Sequence, residues 1–184
     1  MQFSTILPIT FCLAASTLAN PMVLHEVPSA QVKANVSAQI NKWLHDIKSV
    51  NNFVDTVGNV TNSTLISSMA ATAFIAAQNE GASNTILQND VKLDACGQAA
   101  AEALVGQFNI IGPAINDTIS NPGNLQKNLD AINGARCPPP RGAGAISEEG
   151  EVQAAAALAV GIKVHPPQTP TVCNAVTAAT NRRR

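Results

Sequence analysis

Residues 32–57 read VKANVSAQINKWLHDIKSVNNFVDTV, and this stretch decides the fold. Its large apolar residues recur at gaps of one, three or four, which is the spacing of one face of an α-helix and excludes a strand. A helix of this length, about 40 Å, needs partner helices to cover its apolar stripe. The opposite face should meet water, and it bears Lys33, Asn41, Lys42, Asp46 and Lys48.

Further helical patterns follow along the chain, each bounded by Gly, Pro or a polar turn. No segment alternates with a period of two, so the sequence predicts an all-α fold, an antiparallel helical bundle with short turns. Whether the third helix continues through Gly97 is left open, and Pro113 should break or kink it. Ser29 should cap the first helix and Gly58 should stop it. The later helices are predicted at 63–79 (ended by Gly81), from Ser83 or Asn84 onward, at 125–134, at 152–163 (capped by Ser147) and at 171–179.

The N-terminus predicts export. An apolar run from Phe3 to Ser16 precedes Thr17-Leu18-Ala19, whose small residues suit signal peptidase, so we place cleavage after Ala19. A buried apolar strand or helix is the alternative. No later run reaches the ~20 apolar residues of a membrane span, so we expect a soluble, secreted product that is extracellular or cell-wall associated. The predicted organisation is a signal peptide at 1–19, a leader at 20–28, a bundle domain at 29–137, a linker with C-terminal helices packed on the bundle at 138–180, and a basic tail at 181–184.

Cysteines and sequons agree with an oxidising compartment. Cys12 falls in the signal, which leaves Cys96, Cys137 and Cys173. One bridge and one free thiol are expected, with Cys137–Cys173 favoured, Cys96–Cys137 as the alternative pairing, and Cys96 otherwise a buried small side chain. Four Asn-x-Ser/Thr triplets predict N-glycosylation, at Asn35, Asn59, Asn62 and Asn116.

Catalytic and metal-binding signatures are missing from the sequence. The three histidines, His25, His45 and His165, are scattered and lack the paired spacing of a zinc site. Cys96 has Asp94 nearby but no histidine at a diagnostic position. Trp43 should lie in the core, and Asp90, Asp94 and Glu102 should be solvated. We therefore expect no enzyme activity and no cofactor.

The charge of the chain limits which partners it can bind. A formal net charge of −1 and a chain without tyrosine argue against nucleic-acid binding. The tail residues Arg182–Arg184 are expected to be solvated, with binding to an acidic surface as the alternative. What remains available for recognition is the apolar surface of the helices, which could open as a groove or hold a lipid between helices. A bundle closed on its own core is the alternative.

Three segments bear a family resemblance: VNNFVDT at 50–56, AAQNE at 76–80 and NLDAINGARC at 128–137. In these segments the chain resembles small secreted proteins of ascomycete fungi. That resemblance implies no particular activity. More distantly, in its helix pattern and the run Asp46-Ile47-x-x-Val50, the chain is similar to hydrophobic-surface-binding protein A and the cell-wall galactomannoproteins. That resemblance implies a secreted helical protein that adsorbs to apolar surfaces or holds lipids. It does not extend past Cys137.

The expected function is therefore a secreted, non-enzymatic binding protein that contacts cell wall, lipid or hydrophobic surfaces. A secreted effector that binds a host protein is the alternative. Ligand-binding residues cannot be named from the sequence.

Overall fold

The computed structural model describes residues 28–174. The signal peptide, all but the last residue of the leader, the part of the predicted last helix beyond Asn174 and the basic tail lie outside these residues. Within 28–174 the chain forms five α-helices and no strand, which confirms the all-α bundle. The helices are α1 (Ala30–Thr56), α2 (Ser63–Asp90), α3 (Ala95–Ser120), α4 (Leu125–Arg136) and α5 (Ala145–Val160), with 3-10 turns at Val57–Asn59, Pro122–Asn124 and Thr171–Cys173.

Side-chain contacts show that neighbouring helices are antiparallel. Gln39 Nε2 of α1 donates to Ser83 Oγ of α2 at 2.7 Å, although the first is early in its helix and the second late. Asn84 Nδ2 of α2 donates to the Ala101 carbonyl of α3 at 3.0 Å. Both α4 and α5 pack along α3. Together they make a fourth rod that is broken between 137 and 144, so the fold is a four-rod bundle.

The core lies between these rods and follows the stripe of α1. Trp43 is fully buried, and Ile40 and Ile47 are 1% exposed. They pack in one cluster with aliphatic residues of α3 and α4, among them Leu104 and Ile132. Ser29 caps α1 as expected, since its hydroxyl accepts from the Val32 amide.

The predicted break at Gly81 is wrong, because α2 continues to Asp90 and absorbs the predicted start of the third helix. Glycine costs a helix interior only about 1 kcal/mol relative to alanine. Tertiary contacts offset that cost, since Ser83 and Asn84 are buried and hydrogen-bonded to α1 and α3. The third helix begins instead at Ala95, where the Asp94 carboxylate caps it by accepting from the Gly97 amide at 2.8 Å.

Proline does not end α3. The helix runs through Gly97, Gly106 and Pro113 to Ser120. Pro113 lies on the exposed side, while its neighbours Ile111 and Ile115 are fully buried. Burial of the flanking isoleucines therefore outweighs the hydrogen bond that the proline cannot make.

The fourth rod also departs from the prediction at its ends. Helix α4 passes Gly134 and ends at Arg136. Helix α5 begins two residues before Ser147 and ends before Lys163, because Gly144 and Gly161 adopt left-handed backbone angles, φ +91° and +68°. These turns set the helix to 145–160 and bring Glu149 onto its buried side.

The segment 161–174, here called the strap, returns along α5 and is tied to α1. Both Asp55 carboxylate oxygens accept strap amides at 2.9 Å, from Thr171 and Val172. Asn51 Nδ2 donates to the Gln168 carbonyl at 2.6 Å. The strap also holds the Cys173 end of the Cys137–Cys173 disulfide.

Candidate interaction surface

The solvent sides of α2 and α3 form a surface without charge. Residues 63–89 of α2 include one ionisable side chain, Glu80, and that side chain is fully buried. Residues 103–116 of α3 include none. Since α2 and α3 pack side by side, their solvent sides adjoin. We call this surface, made of the exposed residues of 63–89 and 103–116, the uncharged face.

Aliphatic side chains project from the uncharged face. Ile75 is 61% exposed and Val105 is 56% exposed, and Leu65, Ile86 and Ile110 are exposed as well. Between them lie alanine, serine, threonine and amide side chains. Surface helices usually place charges on this side, so exposed aliphatic side chains on an uncharged surface are unusual, and exposed apolar patches often mark contact sites.

Local sequence holds this face in place. The Asn62 side chain caps α2 by accepting from the Leu65 amide at 3.0 Å. Gly81 lies beside the Phe108 ring, and a methyl group there would be 3.8 Å from the ring. A methyl group at Gly106 or Gly112 would meet no atom within 4 Å. Both of these α3 glycines therefore have open space around them.

Exposed charges lie on other parts of the described chain. On α1 the exposed cations are Lys42 and Lys48 and on α4 Lys127, while Asp90 lies at the end of α2 and Lys92 in the α2–α3 connection. Asp117, beside the end of the uncharged face, accepts from the amides of three asparagines, Asn121, Asn124 and Asn128. These hydrogen bonds lower its pKa, with the largest contribution from Asn128. Asp117 thus fixes the α3–α4 turn.

Two open grooves flank Leu158 on α5, which is 72% exposed. One, of about 580 Å³, lies between α5 and the strap and is lined by Ile146, Val164 and Pro167. The other, of about 670 Å³, lies between α5 and Val32 near the start of α1. Asp94 borders both. These grooves lie at the surface, so they do not correspond to a lipid chamber between helices.

Charge occurs instead inside the bundle, in a group we call the buried charge cluster: Glu80, Arg136 and Glu149. All three side chains are fully buried. Arg136 donates to Glu80 through Nη1 at 2.8 Å and Nη2 at 3.3 Å. Nη2 also donates to the side-chain oxygen Oδ1 of Asn51 at 3.0 Å. The cluster thereby joins α1, α2 and α4, and through Asn51 it reaches the strap.

Glu149 is the member of this cluster whose carboxylate oxygens lack hydrogen-bond donors among the described residues. It faces Glu80, Arg136 and Trp43, yet within 28–174 no donor meets either of its oxygens with hydrogen-bond geometry. Burial, and then the charge of Glu80, raise its pKa well above the usual range. A proton on Glu149 removes the conflict, because the neutral carboxyl donates a hydrogen bond to Glu80.

Sequence reasoning did not identify this cluster. Glu149 was assigned no role from the sequence, and Asp46 was placed on the side of α1 that meets water. Asp46 is instead 6% exposed and accepts from Asn79 and Lys42. A usable signal was present, since Glu149 shares the helical spacing of the buried Val152 and Ala156.

The structure contains the favoured Cys137–Cys173 disulfide, with Cα atoms 5.5 Å apart. The Cys96–Cys137 alternative is therefore wrong. Cys96 is not the free, buried thiol that was expected either, because it is disulfide-bonded and only partly buried in the first turn of α3.

The other sequence candidates do not converge on a site. His45 and His165 are exposed and separate, and His25 lies outside the described residues. Asp90, Asp94 and Glu102 are exposed. Within 28–174 no group of three or more His, Cys, Asp or Glu is arranged to bind a metal ion. No helix of that range has both the length and the apolar character to cross a membrane.

The four sequon asparagines are all exposed, namely Asn35, Asn59, Asn62 and Asn116. Asn62 uses Oδ1 to cap α2, and that bond does not engage Nδ2, the atom to which a glycan is attached. Asn62 immediately precedes α2 and Asn116 lies on α3, the two helices of the uncharged face.

Comparison of the chain with protein-family models, curated proteins and solved structures finds no match. The function must therefore be argued from the surface itself.

Proposed function

We propose that this chain is a secreted, non-enzymatic fungal protein that adsorbs to apolar surfaces, such as lipid or the apolar parts of a cell wall, through the uncharged face. The observation that supports this most is the charge pattern of α2, whose only acid before Asp90 is fully buried while Ile75 and Ile86 project into solvent. Contact with an apolar surface removes these side chains from water, which contributes about 25 cal/mol for each Å² buried.

The lack of charge on this face matters as much as its aliphatic side chains. A charged group pressed against an apolar phase loses its hydration, which costs several kcal/mol. The uncharged face avoids that penalty over about seven turns of α2 and about four turns of α3, at about 3.6 residues per turn. The lysines of α1 stay in water on a different part of the surface.

Export of the chain belongs to the same proposal. The disulfide is compatible with an oxidising compartment. Expression in a secreting eukaryotic host should give a mature chain that begins at Asn20 and bears N-glycans at one or more of the exposed sequons. A secreted chain that begins at Met1 would count against the signal.

The test of the proposed function is adsorption to hydrophobic beads and to neutral lipid vesicles. The protein should bind both, and I75K/I110K should bind at least several-fold more weakly. The matched control is N41K/N52K, which adds the same charge at exposed polar positions of α1 and should bind as the parent does.

The three proteins must have similar stability for this comparison to count, and circular dichroism melting curves check that. Equal adsorption by I75K/I110K and the parent would overturn the proposal. So would a parent protein that stays in solution with both materials.

A further inference from the structure

Two buried carboxylates, Glu80 and Glu149, lie near a single buried cation, Arg136. Arg136 pairs with Glu80 through both terminal nitrogens, and Glu149 obtains no hydrogen bond from it. Two ionised carboxylates at such a site repel each other in a medium that screens charge poorly. The closed structure therefore requires one proton on the pair, and Glu149 is the member that lacks an ionic partner.

The groups around Glu149 come from three other helices, α1, α2 and α4. Glu80 on α2 and Asp46 on α1 add negative charge near the pair, and Arg136 on α4 adds positive charge. The ionisable side chains of α3, Glu102 and Asp117, are on its solvent side. The ionisable side chains of the strap, Lys163 and His165, are exposed. None of these elements therefore supplies a second buried cation for an ionised Glu149.

Glu149 reaches the cluster only because α5 is docked. This helix sits between Gly144 and Gly161, which both hold left-handed backbone angles. Small residues make its contact with α3, where a methyl group on Gly97 would be 2.4 Å from the Ala155 Cβ. The Cys137–Cys173 disulfide closes the base of the loop that contains α5 and the strap, so α5 can leave the bundle while it stays tethered.

We propose that α5 is a pH-dependent flap, which stays docked on α3 while Glu149 holds its proton and is released as Glu149 loses it. Release would uncover the buried side of α5, with Val152, Ala156 and Val160, and the aliphatic side chains of α3 beneath it. The inference is independent of the proposed function, because α5 is not part of the uncharged face.

The direction follows from proton linkage. The docked state has a raised Glu149 pKa and the released state has an ordinary one near 4.5, so the docked state binds more protons between the two values. Docking is therefore most favourable in acid and weakens as pH rises through that window. A single proton changes the docking equilibrium by up to about tenfold for each pH unit.

Hydrogen–deuterium exchange of the intact protein from pH 5 to pH 8, corrected for intrinsic exchange rates, tests the flap. Amides of α5 should lose protection by up to about tenfold per pH unit within the window, while amides of α2 keep theirs. E149Q should hold α5 protection constant with pH, because the amide has no proton to lose. E151Q, a change at an exposed acid on the same helix, should behave as the parent does.

Three results would overturn the flap: α5 protection that does not change with pH, the same pH dependence in E149Q, or a loss of protection in all helices together. E149L gives a second variant without a titrating group, so the test stands if E149Q folds poorly.

Discussion

The uncharged face and the buried charge cluster reverse the usual arrangement of a globular protein, in which charged side chains lie at the surface and not in the core. Helix α2 belongs to both: its solvent side has no charge from 63 to 89, and its one acid in that range, Glu80, points into the core. Packing of the bundle requires neither feature. Surface positions accept charge readily, and buried ion pairs can often be replaced by apolar residues without loss of stability.

The two regions therefore have different roles. The buried charge cluster selects one arrangement of helices, because Arg136 can satisfy Glu80 and Asn51 only when α1, α2 and α4 are in register. The uncharged face contributes little to that choice. Its composition is instead suited to contact with another surface. Variants of the two regions should therefore differ in their effect on stability, with the largest effect expected in the buried charge cluster and the smallest on the uncharged face.

Removing the buried cation should have the largest effect. R136M leaves Glu80 without its partner inside the bundle, and we expect a loss of about 3–5 kcal/mol in the free energy of unfolding. Urea denaturation at neutral pH measures it. K127M removes an exposed cation of the same helix and should change stability by less than about 0.5 kcal/mol. If both variants unfold alike, the cluster does not organise the bundle.

Removing the disulfide should come next. In C137S/C173S the unfolded chain regains the freedom of a loop that spans 36 residues, worth about 4 kcal/mol in the chain-entropy model. The disulfide anchors the strap, which packs on α5 and is joined through Gln168 to Asn51, a partner of the buried charge cluster. Loss of the disulfide should therefore lower hydrogen-exchange protection in α5 before it lowers protection in α2. Equal loss in both helices would contradict this division.

A wedge between α3 and α5 should have an intermediate effect. G97A puts a methyl group against Ala155, a clash that only backbone movement relieves, and should cost about 1–3 kcal/mol. G106A is the matched control on α3, where a methyl group meets nothing within 4 Å, and should stabilise by about 0.5–1 kcal/mol. Denaturation curves in which the two variants shift in the same direction would show that α5 is not closely docked.

Charge on the uncharged face should have the smallest effect on folding. I75K/I110K replaces two exposed side chains and should alter the free energy of unfolding by about 0.5 kcal/mol or less, measured by the same denaturation. A loss of several kcal/mol would mean that this face is part of the folding core rather than a contact surface.

The sequence predicts α1 well because its apolar stripe dominates every local signal. It predicts the ends of α2, α3 and α5 poorly, because residues that favour a break locally, such as Gly81 and Pro113, are overruled by contacts with distant helices. Glu149 was missed for a related reason. An acid near a helix start is ordinary in isolation, and only the fold shows that Arg136 and Glu80 lie opposite it.

The uncharged face could have been read from the sequence, since the long run with Glu80 as its only charge is visible there. What the sequence could not reveal is that Glu80 points inward. That orientation depends on Arg136, which is 56 residues away along the chain.

Carbene footprinting of the protein, free and adsorbed on hydrophobic beads, identifies the surface that makes the contact. We expect labelling to fall at Ile75, Val105 and Ile110 on adsorption, while labelling around Lys42 and Lys48 of α1 is unchanged. Protection of α1, or of the grooves beside Leu158, with the α2 and α3 residues still labelled would contradict it.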